Sequence, residues 1–334
     1  MNKKRGQQSV VFSIPPILKA TAAIAGPMEG EGLLAGYYDQ VMEDDLAGYD
    51  NWEKCESYMM EQAVTTAVKK SGHFMMDIDF LLAGDLLNQL IATNFAMRSL
   101  GRPYLGLYGA CSTMAESLMI GAMLLDGGFG NKVVATVSSH HNTAERQYRY
   151  PTELGVQRPL VAQWTVTAAG AVVMENGTDG PKVTAATIGK IIDAGIKDPN
   201  TMGPAMAPAA VDTIWQHIQD IGREPAYYDM IYTGDLGKVG KELVIRLFRE
   251  KGIDISRNYE DCGCMIYRED QDIHSGASGC ASSAAVLCAY LYPQLAAGKL
   301  KKILFVGTGS LHSQTSYQQK ESIPCIAHAI AVEV

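Results

Sequence analysis

The sequence is poor in charge. Asp, Glu, Lys and Arg make up 19% of its 334 residues, against roughly a quarter in average soluble domains. Aromatic residues are sparse at 8%, with three Trp and seven Phe. Low charge beside 47% hydrophobic residues excludes a disordered acidic chain, which has the opposite balance. The 28 basic residues are outnumbered by 36 acidic ones, for a net charge of −8. No dense Lys/Arg stripe is present, so a nucleic-acid partner is not expected. No apolar run approaches the roughly 18 residues of a spanning helix. Behind the basic tip Lys3-Lys4-Arg5, the apolar run Val10-Val11-Phe12 is too short for a signal-peptide core. The seven cysteines are odd in number and irregularly spaced, which argues for reduced thiols over a disulfide framework.

What is abundant is small. Ala occurs 38 times and Gly 33 times. Gly has no three-residue period, so collagen is excluded. An excess of small residues without extra charge points to elements buried deeply and packed closely.

An internal repeat shows where. Asp79-Phe80-Leu81-Leu82-Ala83-Gly84-Asp85-Leu86 resembles Asp229-Met230-Ile231-Tyr232-Thr233-Gly234-Asp235-Leu236. Gly109-Ala110-Cys111-Ser112-Thr113 opens a small-residue segment, followed by the apolar run 132–137. Gly279-Cys280-Ala281-Ser282-Ser283 opens a second one, followed by the run 302–306 and Gly307-Thr308-Gly309-Ser310. The order strand, Gly-Asp-Leu, strand, small-residue helix, strand occurs twice. The period is too long for a solenoid, so two duplicated halves are predicted, 1–178 and 179–334. They join in the turn-forming run Asn176-Gly177-Thr178-Asp179-Gly180-Pro181.

The apolar patterning predicts strands over 10–14, 80–83, 104–108, 132–137 and 168–174 in the first half. In the second it predicts strands over 182–188, 230–232, 265–267, 302–306 and 326–334. Helices are predicted over 53–71, 86–100, 112–126, 208–221, 238–251 and 282–297. Near-continuous apolar strands between helices imply parallel sheets covered on both faces. The segments 112–126 and 282–297 are apolar nearly all round, which places both in a middle layer. Pro293 is expected to kink or end the second early.

Duplicated halves, a Cys-headed buried helix and a Gly- and Ser-rich turn before its counterpart resemble the thiolase superfamily over nearly the whole chain. The ending Gly307-Thr308-Gly309-Ser310 resembles ketoacyl synthase III-type members. The runs at 26–32 and at Ser138-Ser139-His140-His141-Asn142 resemble the branch found in spore-forming bacteria. This resemblance implies a thiolase-like five-layer αβαβα fold and a site where the halves meet, beneath the Cys-headed helix. Cys111 matches the nucleophile, and a helix head favours the thiolate. Gly234-Asp235 stands where the synthases carry a catalytic His, and Ala277 where they carry an Asn. One missing oxyanion donor commonly costs about 2.7–4 kcal/mol, so the pattern argues against Claisen condensation. His274 is near in sequence but is not spaced as that His.

The remaining pocket is expected to be lined by Asp85, Cys111, Ser112, Asp235, His274, Ser278 and Ser310. His140, His141, Arg146 and Arg149 would supply positive charge at its edge. The resemblance implies that the ligand is pyridine-2,6-dicarboxylic (dipicolinic) acid, with calcium as its companion ion and no other cofactor. It implies membrane partners encoded by the stage V sporulation A operon, a homodimer through the sheet edge of the first half, and a peripheral position at the spore inner membrane. The alternatives are an acyltransferase or hydrolase using Cys111, and a purely structural adaptor.

Other signals read more plainly. His140-His141 with Glu145 reads as a surface loop, since its spacing is not that of a metal-binding helix. Cys262-Gly263-Cys264 lacks a partner pair for zinc. Gly307-x-Gly309 lacks the rest of a dinucleotide fingerprint. The acidic run Glu43-Asp44-Asp45 reads as a solvated face, and the methionines as core fillers.

Overall fold

The computed structural model describes residues 3–148 and 157–334. Two five-stranded units of the same lateral order make up its frame. The first contains β1 (Ile17–Ala25), β2 (Phe80–Gly84), β3 (Tyr104–Gly106), β4 (Lys132–Ser139) and β5 (Ala168–Glu175), in the order β3-β2-β4-β5-β1. The second contains β6 (Lys182–Thr187), β7 (Met230–Thr233), β8 (Tyr259–Asp261), β9 (Lys302–Ser310) and β10 (Pro324–Glu333), in the order β8-β7-β9-β10-β6. In the first unit β2 runs parallel to β3 and β4, while β5 is antiparallel to β4 and β1. The second unit repeats this pattern with β7 and β10. The units join through one pair, Ile17 with Lys182.

The sheets are therefore mixed, not purely parallel as the apolar runs suggested. Burial on both faces erases the alternation that usually marks an antiparallel strand. The same effect hides β1, whose sequence Ile-Leu-Lys-Ala-Thr-Ala-Ala-Ile-Ala is buried almost throughout. Four of its nine residues are Ala, a poor strand former. The strand expected at 10–14 is confined to Ser9–Val11. The strand expected at 265–267 does not form; Tyr259–Asp261 pairs with β7 in its place.

Helices α1 (Trp52–Lys70) and α2 (Ile91–Leu100) cover the outer face of the first unit. Asn51 caps α1 by accepting from the Lys54 amide at 2.9 Å. The middle layer holds α3 (Thr113–Asp126), which touches β4 and β2 on one side and β9 and β10 on the other. A short helix, α4 (His141–Tyr148), follows β4, so the His140-His141 segment is not the loop its spacing suggested. Helices α5 (Met202–Ile221) and α6 (Gly237–Glu250) cover the outer face of the second unit.

The second middle-layer helix, α7, starts at Cys280–Ala285, widens into a π-helical stretch over Val286–Leu291 and ends as Tyr292–Ala296. Pro293 neither ends nor breaks it. The wide turn just before Pro293 loosens the regular ladder, which accommodates the missing amide donor. Close contact between layers depends on small residues. A Cβ on Gly170 of β5 would lie 2.8 Å from the Ala284 Cβ of α7. Layered outward from α3 and α7, the order is helix, sheet, helix, sheet, helix.

The repeated Asp residues at the start of β2 and β7 do the same work. Asp79 accepts from the amides of Asn131 and Lys132. Asp229 accepts from those of Lys301 and Lys302. Each ties the entry of one strand to the start of its parallel neighbour. Among the described residues, no helix is long and apolar enough to cross a membrane.

Candidate functional site

Cys111 lies in a tight turn, Ala110–Ser112, that leads into α3. Ala110 holds φ at +49°, a left-handed backbone that is rare without glycine and costs roughly 1–3 kcal/mol. The turn is locked by Ser112 and Thr113, whose hydroxyls donate to the carbonyls of Gly109 and Ala110 at 2.7 and 2.6 Å. Strand β9 presses on it from the second unit.

The cavity above Cys111 is walled by Leu86, Ala110 and Ala144 on one side and Met202, Ser278 and Ser310 on the other. Tyr148 and Thr165 complete it. The enclosed space is small, about 20 Å³, and reaches about 330 Å³ only when the open mouth is counted. The Tyr148 hydroxyl donates to the Leu86 carbonyl and pairs with the Tyr108 hydroxyl at 2.7 Å. Ser310 donates only to the Met202 sulfur, at 3.4 Å, a weak acceptor.

Asp235 sits behind Cys111, fully buried. Its carboxylate accepts from the Thr308 hydroxyl at 2.8 Å, the Gly279 amide at 2.9 Å and the Ser278 hydroxyl at 3.4 Å. The Cys111 thiol lies close enough for the two groups to shift each other's proton affinity. Burial pushes the Asp235 carboxyl up to about 7, against the pull of these donors. Burial and then the Asp235 charge push the Cys111 thiol well above its ordinary value. The thiolate expected at a helix head is thus overruled: desolvation and a facing carboxylate outweigh the dipole.

The other expected residues are placed elsewhere. Asp85, the repeat partner of Asp235, is buried and consumed locally. It accepts from the amides of Leu87 and Thr93 and from the Thr93 hydroxyl, each at 2.7 Å. It caps the approach to α2 and does not line the cavity. Ser112 turns back onto Gly109. His140 pairs with the Asp45 carbonyl at 2.8 Å, and burial lowers its pKa, so it is no source of positive charge. His141 stacks on Trp164, with ring centroids 3.6 Å apart. Arg146 is paired with Glu53 and lies over Trp52, facing a separate surface groove. His274 lines another depression with Arg158 and Asp272. Arg149 lies outside the described residues. Sequence patterning missed Tyr148, Thr165, Met202 and Thr308. Of these, only Thr308 carried a signal, from the glycines beside it.

Further buried carboxyls are raised as well, among them Asp85 and Asp261, the latter to about 6, both by burial. Glu29 is pushed up to about 7 by burial. Glu56 is pushed up to about 8 by burial and then by Asp85. Each holds its proton more tightly folded than unfolded, so the folded chain binds more protons and its stability falls as pH rises. His217 and His328, lowered by burial to about 3 and about 4, act oppositely, but only below about pH 6.5, their unfolded value. Above about pH 6.5 these carboxyls are joined, toward about pH 8, by the thiols that burial raises, which act in the same direction. Each excess proton is worth about 1.4 kcal/mol per pH unit. The thermal midpoint should therefore fall as pH is raised from 6.5 to 8.5. A scanning-calorimetry series in which it rises would show these carboxyls to be ionised in the fold.

Two mixed sheets enclosing a Cys-headed helix define a thiolase-like fold. OleA of Xanthomonas campestris superposes with a TM-score of 0.63 at 15% identity, covering 97% of this chain and 99% of that one. The 3-oxoacyl-[acyl-carrier-protein] synthase III of Aquifex aeolicus VF5 superposes at 0.59 with 13% identity, covering 96% and 100%. These likenesses show the fold alone. Residues 6–333 match the stage V sporulation protein AD family, and this chain belongs to it. The Bacillus subtilis (strain 168) stage V sporulation protein AD is 45% identical over 331 residues, 99% of this chain and 98% of that protein.

Proposed function

We propose that this sporulation protein binds pyridine-2,6-dicarboxylic acid in the cavity at Cys111, for its uptake into the developing spore, and does not turn it over. The observation that carries this reading is the buried contact between Cys111 and Asp235. A thiol held protonated by a facing carboxylate is a poor nucleophile, and among the described residues no imidazole lines the cavity to take its proton. What is left is a narrow site with hydroxyls on its walls. Ser310 and Ser278, whose hydroxyls give up only long bonds to the Met202 sulfur and to Asp235, each at 3.4 Å, offer donors to a planar dicarboxylate, while Thr165 and Tyr148 are committed to Glu145 and to the Leu86 carbonyl. Among the described residues, no three His, Cys, Asp or Glu side chains converge on a common point as metal ligands. In this reading the cavity takes the free dianion, without calcium.

Titration calorimetry with the acid, with and without calcium, tests the site. A hydrogen bond to a charged group is worth about 1.5–3 kcal/mol, so Ser310→Ala and Ser278→Ala should each weaken binding about tenfold or more. Unchanged binding in both would place the ligand elsewhere.

The protein would act as a homodimer, peripheral to the spore inner membrane, delivering its ligand to membrane proteins of the stage V sporulation A operon. Edge strand β3 suits such a dimer. Leu105 on it is 46% exposed, and Ile91 and Phe95 of α2 are 41% and 46% exposed. Leu105→Asp should then convert a dimer to a monomer in sedimentation velocity; a monomeric parent protein would sink the dimer.

A further inference from the structure

We infer that this site takes up one proton with its ligand, because the carboxyl of Asp235 must be neutral before a dicarboxylate can occupy the cavity at Cys111. The inference rests on the binding reading above and deepens it.

Among the described residues, none of those lining the cavity carries a charge. Behind its floor, the titratable groups facing Asp235 come from five places. They are Cys111 at the head of α3, Cys280 at the head of α7, Asp261 on β8, Cys262 just after it, and Cys325 on β10. All are neutral or negative. Asp261, the one charged group among the main influences on Asp235, shares its sign. Among the described residues, Asp235 is held by neutral donors, the Thr308 and Ser278 hydroxyls and the Gly279 amide, with the Cys111 thiol beside it. Of these, Cys111 and Ser278 also line the cavity.

These two side chains link ligand and carboxyl. With Asp235 ionised, the Cys111 S–H and the Ser278 O–H point away from the cavity, and a dianion would face a carboxylate across a single side chain. At low effective dielectric that repulsion is large and unscreened. When a proton from solvent adds to Asp235, both effects reverse. The charge is removed, and the two donors are released toward the ligand. No other bond changes: one proton and one dianion enter. Burial already brings the Asp235 carboxyl up to about 7, so the switch falls within the physiological range. Asp235 is a positioning residue here, acting through Cys111 and Ser278.

The test is calorimetry with pyridine-2,6-dicarboxylate between pH 6 and 9, where the acid is ionised throughout. Each titration is run in two buffers of different ionisation enthalpy. Affinity should be level below about pH 7 and fall about tenfold per pH unit above it. At pH 8 the two buffers should report uptake of close to one proton. Asp235→Asn should bind with an affinity independent of pH. Equal affinity from pH 6 to 9 without proton uptake would overturn the inference and leave the ligand assignment standing. No binding at any pH would overturn both. If Asp235→Asn does not fold, the proton count on the unaltered protein decides alone.

Discussion

Gly309→Val should lower stability by about 3 kcal/mol and abolish ligand binding with it. Gly309 lies on β9 where that strand passes the head of α3. A Cβ there would sit 2.2 Å from the Gly109 carbonyl oxygen and 3.0 Å from the Ser112 amide. Both are backbone atoms of the turn that carries Cys111, so no flexible side chain can swing aside. The neighbouring Gly307 is equally confined, with a Cβ 2.8 Å from that of Ala115 and 2.9 Å from the Ser112 carbonyl oxygen. A valine would push α3 away from the second sheet and carry Cys111 out of its contact with Asp235. Gly36→Ala serves as the control, because nothing lies within 4 Å of its added carbon. Urea unfolding followed by fluorescence measures both. A Gly309→Val midpoint equal to that of the control would show that the two layers are not in contact there.

Asp261→Ala should cost about 4 kcal/mol, from unpaired buried donors and not from lost packing. Asp261 accepts from the amides of Leu236 and Gly237 at 2.9 Å, from the Gly263 amide at 3.0 Å and from the Thr233 hydroxyl at 2.7 Å. Alanine would leave three amides buried without an acceptor, each worth about 1–3 kcal/mol. The position explains a division of labour between the repeats. In the first unit Asp85 itself secures the backbone after Gly-Asp-Leu. In the second, Asp261 reaches over from β8 to do that work, which frees Asp235 to face Cys111. Asp261→Asn should recover part of the loss, since its amide oxygen still accepts. Chemical unfolding of both variants checks this; a loss below 1 kcal/mol for alanine would mean the amides find other partners.

This division shows what local patterning can and cannot convey. Asp85 and Asp235 close almost identical octapeptides, and nothing in either octapeptide separates a helix cap from a group beneath a cavity. The difference comes from residues far away in sequence: Thr93 in one case, Thr308, Gly279 and Cys111 in the other. His140, His141 and Arg146 resemble a cluster of positive charge when read along the chain. The start of helix α4 turns His140 just before it, and His141 and Arg146 on it, toward three different neighbours, the Asp45 carbonyl, Trp164 and Glu53. The widened stretch of α7 is likewise absent from any local rule, which reads Pro293 as a stop.

Composition and repetition along the chain pointed to two related units and a buried Cys-headed helix, and the family resemblance to positions where no catalytic His or Asn stands. Those features depend on residue type and order, and burial leaves a direct compositional trace in few charges and many small side chains. The electrostatic character of Cys111 was decided only in three dimensions. A thiol at a helix head is ordinarily activated, and this one is suppressed, because folding places a desolvated carboxylate from the other unit against it. Energies between charges depend on distance and dielectric, and only the packed layers set both.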